Sequence, residues 1–352
     1  MEVNLKQFVV SIKSLVSVII INWNGKDYLK NCLGSLERIS YKKKEIIVVD
    51  NGSDDGSVKF LRNKYPKVKI ITNSSNLGFS RANNQGIKKA RGEYILFLNN
   101  DTKVTKNFLD ILVNKLSSDD QMGACQPKIL HMEKEGRLDS IGSFLTYTGF
   151  LFHYGFEAKD SKKLNKEIKL FSGKGSCLLF KKKVLDRIGY FDEDFFAYFE
   201  ETDLCWRLWL AGYNLLYIPE AVVFHKTWGT ARKLPIKLIN YHSFKNRISS
   251  LSTNLETKNL LIILPIHILI CLLISFYYLF RRKRSISLSI IRALGWNIRS
   301  YRKIIKKRAY VQAKVRRVLD SEIFPVILKK PDLKYYSFIL RYSLVRSKVF
   351  TK

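Results

Sequence analysis

The segment VSVIIINWNG, residues 16–25, decides the fold class of this 352-residue chain. Its apolar run predicts a buried strand over Val16–Ile21, and the polar Asn22–Gly25 predicts the turn that ends it. Similar apolar runs recur along the chain, separated by segments with helical spacing of their leucines. These runs are Glu45–Val49, Val68–Thr72 and Glu93–Leu98. Because continuous apolar strands alternate with helices, the sequence predicts an α/β fold with a mostly parallel central sheet and helices on both faces.

The second half of the chain has shorter and more varied elements. Its patterns predict strands at Gly173–Phe180, Leu215–Ile218 and Ala221–Phe224, and helices at Lys183–Ile188 and Glu201–Ala211. An acidic and aromatic loop over residues 192–199 precedes the second helix. The second half therefore differs from the regular alternation of strands and helices in the first half.

Each strand of the first half is followed by a polar cluster. These clusters are Asn22–Gly25, Asp50–Asp55, Asn73–Gly78 and Asn99–Asp101. In a parallel sheet the carboxyl ends of the strands share one edge, and ligands bind there. The sequence therefore predicts a ligand site at this edge.

Two of these clusters contain a carboxylate with a candidate role. Asp101 directly follows an apolar strand, where its oxygens can hold a hard divalent cation, although it can equally cap the next helix. Asp50 can contact a nucleobase or ribose, although the residues around it also favour an Asx turn. Neither position decides its role alone.

The second half contains further candidates for chemistry. Glu200, Glu201 and Asp203 begin a helix, where the positive end of the helix dipole relieves part of their repulsion. A carboxylate held in a cleft can remove a proton from a sugar hydroxyl, but an ordinary acidic helix start has the same pattern. His225 follows an apolar strand and is either a metal ligand or a structural histidine.

Taken in order, these segments resemble the family 2 glycosyltransferases of the GT-A fold, most closely their rhamnosyltransferase-type members. The resemblance spans roughly residues 15–250. It is carried by VSVIIINWNG (16–25), VVDNGSDDGS (48–57), NLGFSRANNQGI (76–87), GEYILFLNNDT (92–102), residues 175–213 and VVFHKTWGT (222–230). It implies a GT-A catalytic domain over 1–250, with a nucleotide-sugar half of about 15–120 and an acceptor half of about 121–250.

The resemblance also implies roles for individual residues. Asn99 stands where the family has the first Asp of its metal-binding Asp-x-Asp motif, so Asp101 carries the charge and, with His225, would bind Mg²⁺ or Mn²⁺. Glu201 stands at the position of the general base, a role that Glu200 or Asp203 could share. The implied nucleotide-sugar-binding residues are Asn22, Trp23, Asp50, Asn76, Gly78, Arg81, Asn99 and Asn100.

The activity implied is an inverting sugar transfer. A divalent cation neutralises the diphosphate leaving group, and one carboxylate base activates the acceptor hydroxyl. The implied donor is dTDP-rhamnose and the implied acceptor is a lipid-linked saccharide of a surface polysaccharide; UDP-hexose and UDP-galactofuranose donors stay open. The sequence has no Gln-x-x-Arg-Trp motif of the processive relatives, so we expect one or few sugars to be added. An inactive scaffold with the same fold is a further alternative.

The distribution of charge points to a membrane. The net charge is +32, and residues 281–352 hold 21 Lys+Arg against three Asp+Glu. A nucleic-acid-binding protein would fit the charge alone, but the basic run directly follows Asn259–Phe280, which has no charged residue. The sequence therefore predicts an anionic membrane surface as a partner, and no nucleic acid.

Residues 251–352 are expected to form a membrane-associated helical region. As a helix, Asn259–Phe280 would measure about 33 Å, enough to span a bilayer core of about 30 Å. Both of its flanks are cationic, which disfavours a single span. We therefore expect a re-entrant or surface-embedded element with both ends in the cytoplasm, followed by an amphipathic Ile286–Tyr310; a true span is the alternative. The expected location is the inner (plasma) membrane, with the catalytic domain on its cytoplasmic side.

Overall fold

The computed structural model describes residues 14–226, 234–330 and 335. Residues 227–230 of the last motif and residues 336–352 of the basic tail lie outside the described residues. The strands are β1 (Val16–Asn22), β2 (Lys44–Asp50), β3 (Lys69–Thr72), β4 (Tyr94–Leu98), β5 (Thr102–Val104), β6 (Met122–His131), β7 (Leu138–Ser140), β8 (Gly142–Thr146), β9 (Leu151–Tyr154), β10 (Ile168–Lys169), β11 (Cys177–Lys181), β12 (Asn214–His225) and β13 (Leu328–Lys329). The α-helices are α1 (Lys26–Glu37), α2 (Ser57–Lys64), α3 (Phe79–Lys89), α4 (Phe108–Ser117), α5 (Lys182–Ile188), α6 (Glu200–Leu210), α7 (Ile236–Asn254), α8 (Thr257–Phe280), α9 (Arg284–Arg299), α10 (Tyr301–Tyr310) and α11 (Asp320–Ile327).

The central sheet has the strand order β10-β12-β6-β11-β4-β1-β2-β3. Strands β4, β1, β2 and β3 are parallel, and β11 is antiparallel to both β4 and β6. The α/β prediction is confirmed, with a mixed second half. The register pairs Asn22 with Asp50 and Asp50 with Thr72, which brings the polar clusters after these strands to one edge of the sheet.

Both faces of the sheet are buried, as the continuous apolar runs require. In β1, Ile19 belongs to the core on one face, whereas Val18 and Ile20 belong to the core on the other. Helix α1 covers the second face with residues spaced three or four apart, including Leu29, Cys32, Leu33 and Leu36. Alternate residues of the strand and residues three or four apart in the helix thus pack in the same core.

Two expected strands differ in the structure. The strand predicted at Gly173–Phe180 begins only at Cys177, because residues 173–176 form a turn beside the start of α6. The two strands predicted at Leu215–Ile218 and Ala221–Phe224 are one strand, β12, with an irregularity between Ile218 and Val222. Pro219 lies in this irregularity, which is expected because proline cannot donate a hydrogen bond to the sheet.

The C-terminal helices pack against the part of the chain that contains the central sheet. Arg317 donates its backbone N–H to the carbonyl of Leu210 in α6, and β13 pairs with β8. Val311 and Ile327 belong to the same core as Leu210. The expected boundary at residue 250 falls inside α7, so no break in the helix separates residues 1–250 from residues 251–352 there. The division into these two parts stays a proposal about their functions.

Helix α8 is long and apolar enough to cross a membrane, with a mean hydropathy of 2.7 in its best 18-residue window. Only 22% of that window is buried. Its buried side packs against α9, where Ser275 and Ser287 share a hydrogen bond of 2.9 Å. The opposite side is exposed and apolar, and its most exposed members are Leu261, Ile262, Leu269, Leu273, Phe276 and Phe280.

Candidate functional site

A network of side-chain hydrogen bonds joins three strand ends at the predicted edge. Asn22 donates its Nδ2 to Asp50 Oδ2 at 2.9 Å and to Ser53 Oγ at 3.1 Å. Asn100 donates its Nδ2 to Asn22 Oδ1 at 2.8 Å. The backbone N–H of Ser53 donates to Asp50 Oδ1 at 2.9 Å, so both oxygens of Asp50 are engaged. This network fixes Asn22, Asp50 and Asn100 relative to one another.

The network leaves no room for a side chain at Gly25. A Cβ atom there would lie 2.3 Å from Asn100 Nδ2 and 2.7 Å from Asn22 Oδ1. The glycine of the Asn-Trp-Asn-Gly turn is therefore required by the close approach of the two amides.

A second set of contacts orders the loop after β3. Asn51 donates its Nδ2 to Asn76 Oδ1 at 2.8 Å, and Gly78 donates its backbone N–H to the same oxygen at 2.9 Å. Gly78 has φ +85°, and a Cβ atom there would lie 2.5 Å from the carbonyl oxygen of Phe196. The Asn-Leu-Gly-Phe motif thus connects the strand ends to the loop that precedes α6.

The remaining nucleotide-site candidates differ in position. Trp23 is half-buried next to Asn22. Asn99 is half-buried and donates its backbone N–H to Ser176 at 2.9 Å. Arg81 lies on α3, its side chain is 53% exposed, and its nearest carboxylate is Glu193 at 3.9 Å. The structure therefore places Trp23 and Asn99 beside the network and leaves Arg81 outside it.

Asp101 and His225 meet because β12 pairs with β5. His225 lies opposite Thr102 in this ladder, and its Nε2 is 3.2 Å from Asp101 Oδ1. On its other side, His225 Nδ1 contacts Asp139 Oδ2 at 2.7 Å. Lys174 donates its Nζ to the second oxygen of Asp139, also at 2.7 Å. These four residues form a chain of alternating charge in which Asp101, His225 and Asp139 are buried and Lys174 is half-buried.

The pKa values in this chain follow from the charges. Burial alone would lower the pKa of His225, but the carboxylates of Asp101 and Asp139 outweigh it and raise the pKa to about 9. Burial alone would raise the pKa of Asp139, but Lys174 and His225 outweigh it and hold the pKa below its usual range. Asp139 is thus an anion that orients the imidazole.

The pair Asp101 and His225 fits a divalent cation. Asp101 Oδ1 is buried and accepts no well-formed hydrogen bond within the described part of the chain, and the imidazole Nε2 of His225 lies 3.2 Å from it. Within residues 14–226, 234–330 and 335, no group of three or more His, Cys, Asp or Glu side chains is placed to hold a metal alone. Mg²⁺ and Mn²⁺ sites of transferases take few protein ligands and complete their shell with water and substrate phosphate oxygens, which matches a two-residue set.

Glu200 and Glu201 begin α6 after a strained turn. Tyr198 and Phe199 have φ of 68° and 74°, which non-glycine residues rarely adopt. Asn246 of α7 holds this turn by donating its Nδ2 to the carbonyls of Ala197 and Tyr198. Strain of this kind persists only where the surroundings enforce it, and it is concentrated at functional sites.

The two glutamates have different surroundings. Glu200 is 7% exposed and its Oε2 has no hydrogen-bond partner, whereas Glu201 is half-buried. A Cβ atom at Gly175 would lie 3.7 Å from Glu201, so the turn before β11 passes directly beside it. Burial raises the pKa of both, and the neighbouring Glu201 raises that of Glu200 further; Lys174 partly offsets the effect of burial on Glu201.

Asp203 has a structural set of partners. Its Oδ2 accepts from Arg207 Nε at 2.9 Å, and its Oδ1 accepts from Ser250 Oγ at 2.7 Å and Asn254 Nδ2 at 2.8 Å. Both oxygens are therefore occupied in joining α6 to α7. Of the three acidic candidates, Glu201 is the one beside the turn that leads to the Asp101 and His225 pair.

Sequence reasoning missed Asp139 and Lys174. Asp139 lies inside the short strand β7 with 0% exposure, and Lys174 lies in the turn at 173–176. An acidic residue inside the strand-like segment LDSIGSFLT was the available signal, but its partner is 86 residues away. The contact becomes visible only when β7 pairs with β6 and β6 with β12.

Comparison with known proteins identifies similar sequences and folds. Residues 17–189 match the family model described as "Glycosyl transferase family 2". An N-acetylglucosaminyl-diphospho-decaprenol L-rhamnosyltransferase of Mycobacterium tuberculosis is 26% identical over 254 residues, covering 65% of this chain and 81% of the relative. A poly-beta-1,6-N-acetyl-D-glucosamine synthase of Staphylococcus aureus is 27% identical over 216 residues, 59% of this chain, and the chain spans about half (48%) of that relative.

A solved structure shares the fold. The mannosyltransferase PcManGT of Pyrobaculum calidifontis, in complex with GDP-Man and Mn²⁺, superposes with a TM-score of 0.51 at 16% identity. The superposition covers 86% of each chain, so it extends beyond the sheet into the C-terminal helices.

Proposed function

Since the chain is a glycosyltransferase of family 2 with the GT-A fold, we propose that it moves one sugar from a nucleoside diphosphate to a hydroxyl group of a lipid-linked saccharide. Transfer proceeds by a single in-line displacement and inverts the anomeric carbon, because one base acts opposite the leaving group. Glu201 is the base, and Asp101 with His225 would hold a divalent cation, Mg²⁺ or Mn²⁺, that neutralises the charge of the donor diphosphate.

The observation that carries this proposal is the buried pair of Asp101 Oδ1 and His225 Nε2, which lie 3.2 Å apart. Asp101 Oδ1 accepts no well-formed hydrogen bond among the described residues, so the imidazole is its one close partner there. The pair can therefore exchange the imidazole proton for a divalent cation. It lies at the strand edge next to the Asn22, Asp50 and Asn100 network, where nucleotides bind in parallel sheets. When bound, the cation supplies Lewis acidity that neutralises charge on the departing diphosphate.

The chain's own residues prepare the reaction. Asn22 and Asn100 hold the strand ends in place for the nucleotide, with Asn76 and Gly78 ordering the loop beside them. Asp139 accepts a hydrogen bond from His225 Nδ1 and orients the ring so that Nε2 faces Asp101. A bound cation would displace the Nε2 proton, which the raised pKa of His225 otherwise keeps on the ring at neutral pH. Glu201 accepts the proton of the acceptor hydroxyl, and burial suits it to this because its raised pKa makes it a stronger base.

The donor we propose is dTDP-rhamnose. The support is the Mycobacterium tuberculosis relative, whose name specifies an L-rhamnosyltransferase acting on a diphospho-decaprenol saccharide. UDP-hexose and UDP-galactofuranose are the alternatives, since relatives and neighbours of this fold carry names with other sugars. The proposed product is part of a cell-surface polysaccharide.

We also propose that the enzyme works on the cytoplasmic face of the plasma membrane. The exposed apolar side of α8 supports this, and the basic turn at Arg281–Arg284 adjoins it. Apolar area and cations together bind anionic bilayers more strongly than either alone. Residues 251–352 would serve as the membrane-associated part, and the acceptor lipid would reach the site from the same surface.

A donor screen tests the proposal. The full chain is incubated with a panel of nucleoside diphosphate sugars, with Mn²⁺ or with a chelator, and its unfolding temperature is measured. We expect dTDP-rhamnose to raise this temperature most and only with the cation, because a ligand stabilises the state that binds it. A chain that responds to none of the sugars would contradict the proposed function, and a response independent of cation would contradict the role of Asp101 and His225.

A further inference from the structure

We propose that Arg247 binds the diphosphate of the lipid-linked acceptor, between the catalytic glutamates and the apolar face of α8. This inference rests on the proposed function, since it concerns the acceptor of that reaction. The ligand class is a polyprenyl diphosphate: an anionic diphosphate with a sugar on one side and a hydrocarbon chain on the other.

Arg247 is a half-buried cation that has no carboxylate partner in the part of the chain that the structure describes. It lies on α7, and its guanidinium contacts the rings of Phe150, Phe199 and Phe244, with its Cζ 4.7, 5.4 and 5.6 Å from their centroids. Its one hydrogen bond among the described residues is from Nη2 to Ser243 Oγ, at 3.3 Å. Its Nε is buried and has no hydrogen-bond partner within residues 14–226, 234–330 and 335.

The absence of a carboxylate distinguishes Arg247 from its neighbours. In the same region Arg207, Lys307 and Arg316 each contact an Asp at 3.0 Å or less. No Asp or Glu of the described residues lies within ion-pair distance of Arg247. A guanidinium has five N–H donors, and leaving them without acceptors in a low-dielectric site is costly. An anionic ligand with several oxygens would satisfy them.

The hydrogen bonding of His267 excludes it as a second donor to the diphosphate. His267 of α8 covers the site, with its ring 4.5 Å from that of Phe150. Its Nδ1 lies 2.8 Å from the carbonyl oxygen of Thr148, so Nδ1 carries the proton and donates it, and Nε2 is a bare acceptor. An acceptor cannot bind a diphosphate oxygen, and Arg247 is therefore the group that supplies the donors.

The position of Arg247 matches the order of groups in such an acceptor. Phe199, which the guanidinium contacts, directly precedes Glu200 and Glu201. On the other side, Phe150 and Phe244, which the guanidinium also contacts, belong to the same apolar cluster as Cys271 of α8. The residues next to Cys271 on α8, Leu272 and Leu273, are 43% and 59% exposed. The sugar of the acceptor would thus lie near the base, its diphosphate at Arg247, and its hydrocarbon chain along α8.

The test measures binding of farnesyl diphosphate by the full chain in detergent. The donor site is first saturated with Mn²⁺ and the nucleoside diphosphate of the best donor, so that only a second diphosphate site is observed. Farnesol and inorganic diphosphate are the comparison ligands. We expect farnesyl diphosphate to bind at least about tenfold more tightly than either, because it alone engages both the cation and the apolar face.

Arg247→Gln should weaken this binding by about tenfold to a hundredfold, since a hydrogen-bonded charge is lost. Arg292→Gln removes the same charge from an exposed position on α9 and should change the affinity less than about twofold. Arg247→Lys keeps the charge but lacks the forked N–H donors of arginine, so its affinity should lie between those of Arg247→Gln and Arg292→Gln. This variant still tests the site if Arg247→Gln does not fold.

The outcomes separate this inference from the proposed function. Equal binding of farnesol and farnesyl diphosphate by the wild-type chain, or equal losses in the Arg247 and Arg292 variants, would overturn the diphosphate site. An Arg247→Gln loss that is equally large for vesicles of phosphatidylglycerol would also overturn it, since the site would then recognise lipid headgroups in general. Binding of a nucleotide sugar by every variant would leave the proposed function intact in each case.

Discussion

The chemistry of the site depends on how single side chains are held. Asp101 contributes a buried carboxylate oxygen, and His225 places its Nε2 3.2 Å from that oxygen. Asp139 accepts the hydrogen bond that fixes the imidazole. Lys174 balances the charge of Asp139. Removing any one of them leaves a buried charge or polar group uncompensated, so the four residues act together.

The role of Asp139 can be tested by Asp139→Asn. The amide keeps the size of the side chain but can present its N–H to His225, which favours the wrong tautomer and turns Nε2 into a donor. We expect Mn²⁺-dependent binding of the donor nucleotide to weaken by about tenfold to a hundredfold. Titration calorimetry with Mn²⁺ and with a chelator measures the difference.

Asp186→Asn is the matched control, because Asp186 pairs with Lys182 on the exposed surface of α5. That variant should bind as the wild type does. An Asp139→Asn chain with unchanged cation dependence would show that Asp139 stabilises the fold without serving the metal ligand.

At the scale of elements, the strands β1 to β4 could be predicted closely and the second half could not. The expected Val16–Ile21 and Glu93–Leu98 differ from the observed strands by one residue, because strands buried on both faces read as apolar runs. Strand β6 has no continuous apolar run of this kind in its sequence. Its ten residues include Gln126, Pro127 and Lys128, and the sequence gives them no strand period.

The same limit applies to the site. The polar edge after β1, β2 and β4 was predictable, since parallel strands bring their ends together. The contact between His225 and Asp139 was not, because it depends on the pairing of β6 with β7 and β12. Arg247 was missed for a similar reason: nothing in the sequence of α7 indicates that three aromatic rings from distant segments surround it.

Helix α8 makes its own prediction for membrane binding. Phe276 is 67% exposed and lies on the apolar side. Phe276→Glu should weaken binding to anionic vesicles by at least about tenfold, because it removes roughly 1.5–3 kcal/mol of apolar transfer and adds a repelled charge. Vesicle co-sedimentation measures the partition.

Met132→Glu is the control for that experiment. Met132 is an exposed apolar residue of the catalytic half, at 38%, and the substitution adds the same charge. Its vesicle binding should stay near that of the wild type. If both variants lose the same amount, charge alone explains the loss and α8 does not lie in the membrane.

At the scale of the whole molecule, both ends of α8 are joined to one body. Before α8, the N–H of Glu256 donates to Asp320 in α11; after it, Asn297 of α9 donates to the carbonyl of Lys245 in α7. A helix that crossed a bilayer would separate α9 and α11 from the catalytic half and break these contacts. The packing therefore favours a helix that lies on or within one leaflet.

A protease-protection experiment checks this topology. With a tag after residue 352, protease added to the cytoplasmic side should remove the tag while intact vesicles protect a periplasmic marker. A tag protected from the cytoplasmic protease would show that α8 is a true span. The basic charge of residues 281–352 makes the first result the expected one, since cationic segments stay in the cytoplasm.

The most direct test of the central claim, that Glu201 is the base of a sugar transfer, is the rate of transfer by Glu201→Gln. The amide cannot take a proton, so we expect the rate to fall by about 10²- to 10⁴-fold while the donor still binds. In the wild type the rate should fall as the pH drops through a pKa above the ordinary value of 4.5, because burial raises the pKa of Glu201 and only the anion is active.

Glu200→Gln is the companion variant, since Glu200 shares the helix start and a raised pKa, whereas the three atoms nearest to a Cβ at Gly175 all belong to Glu201. We expect the larger loss of transfer for Glu201→Gln, with nucleotide-sugar binding unchanged in both variants. A Glu201→Gln enzyme that retains most of its transfer rate would contradict it.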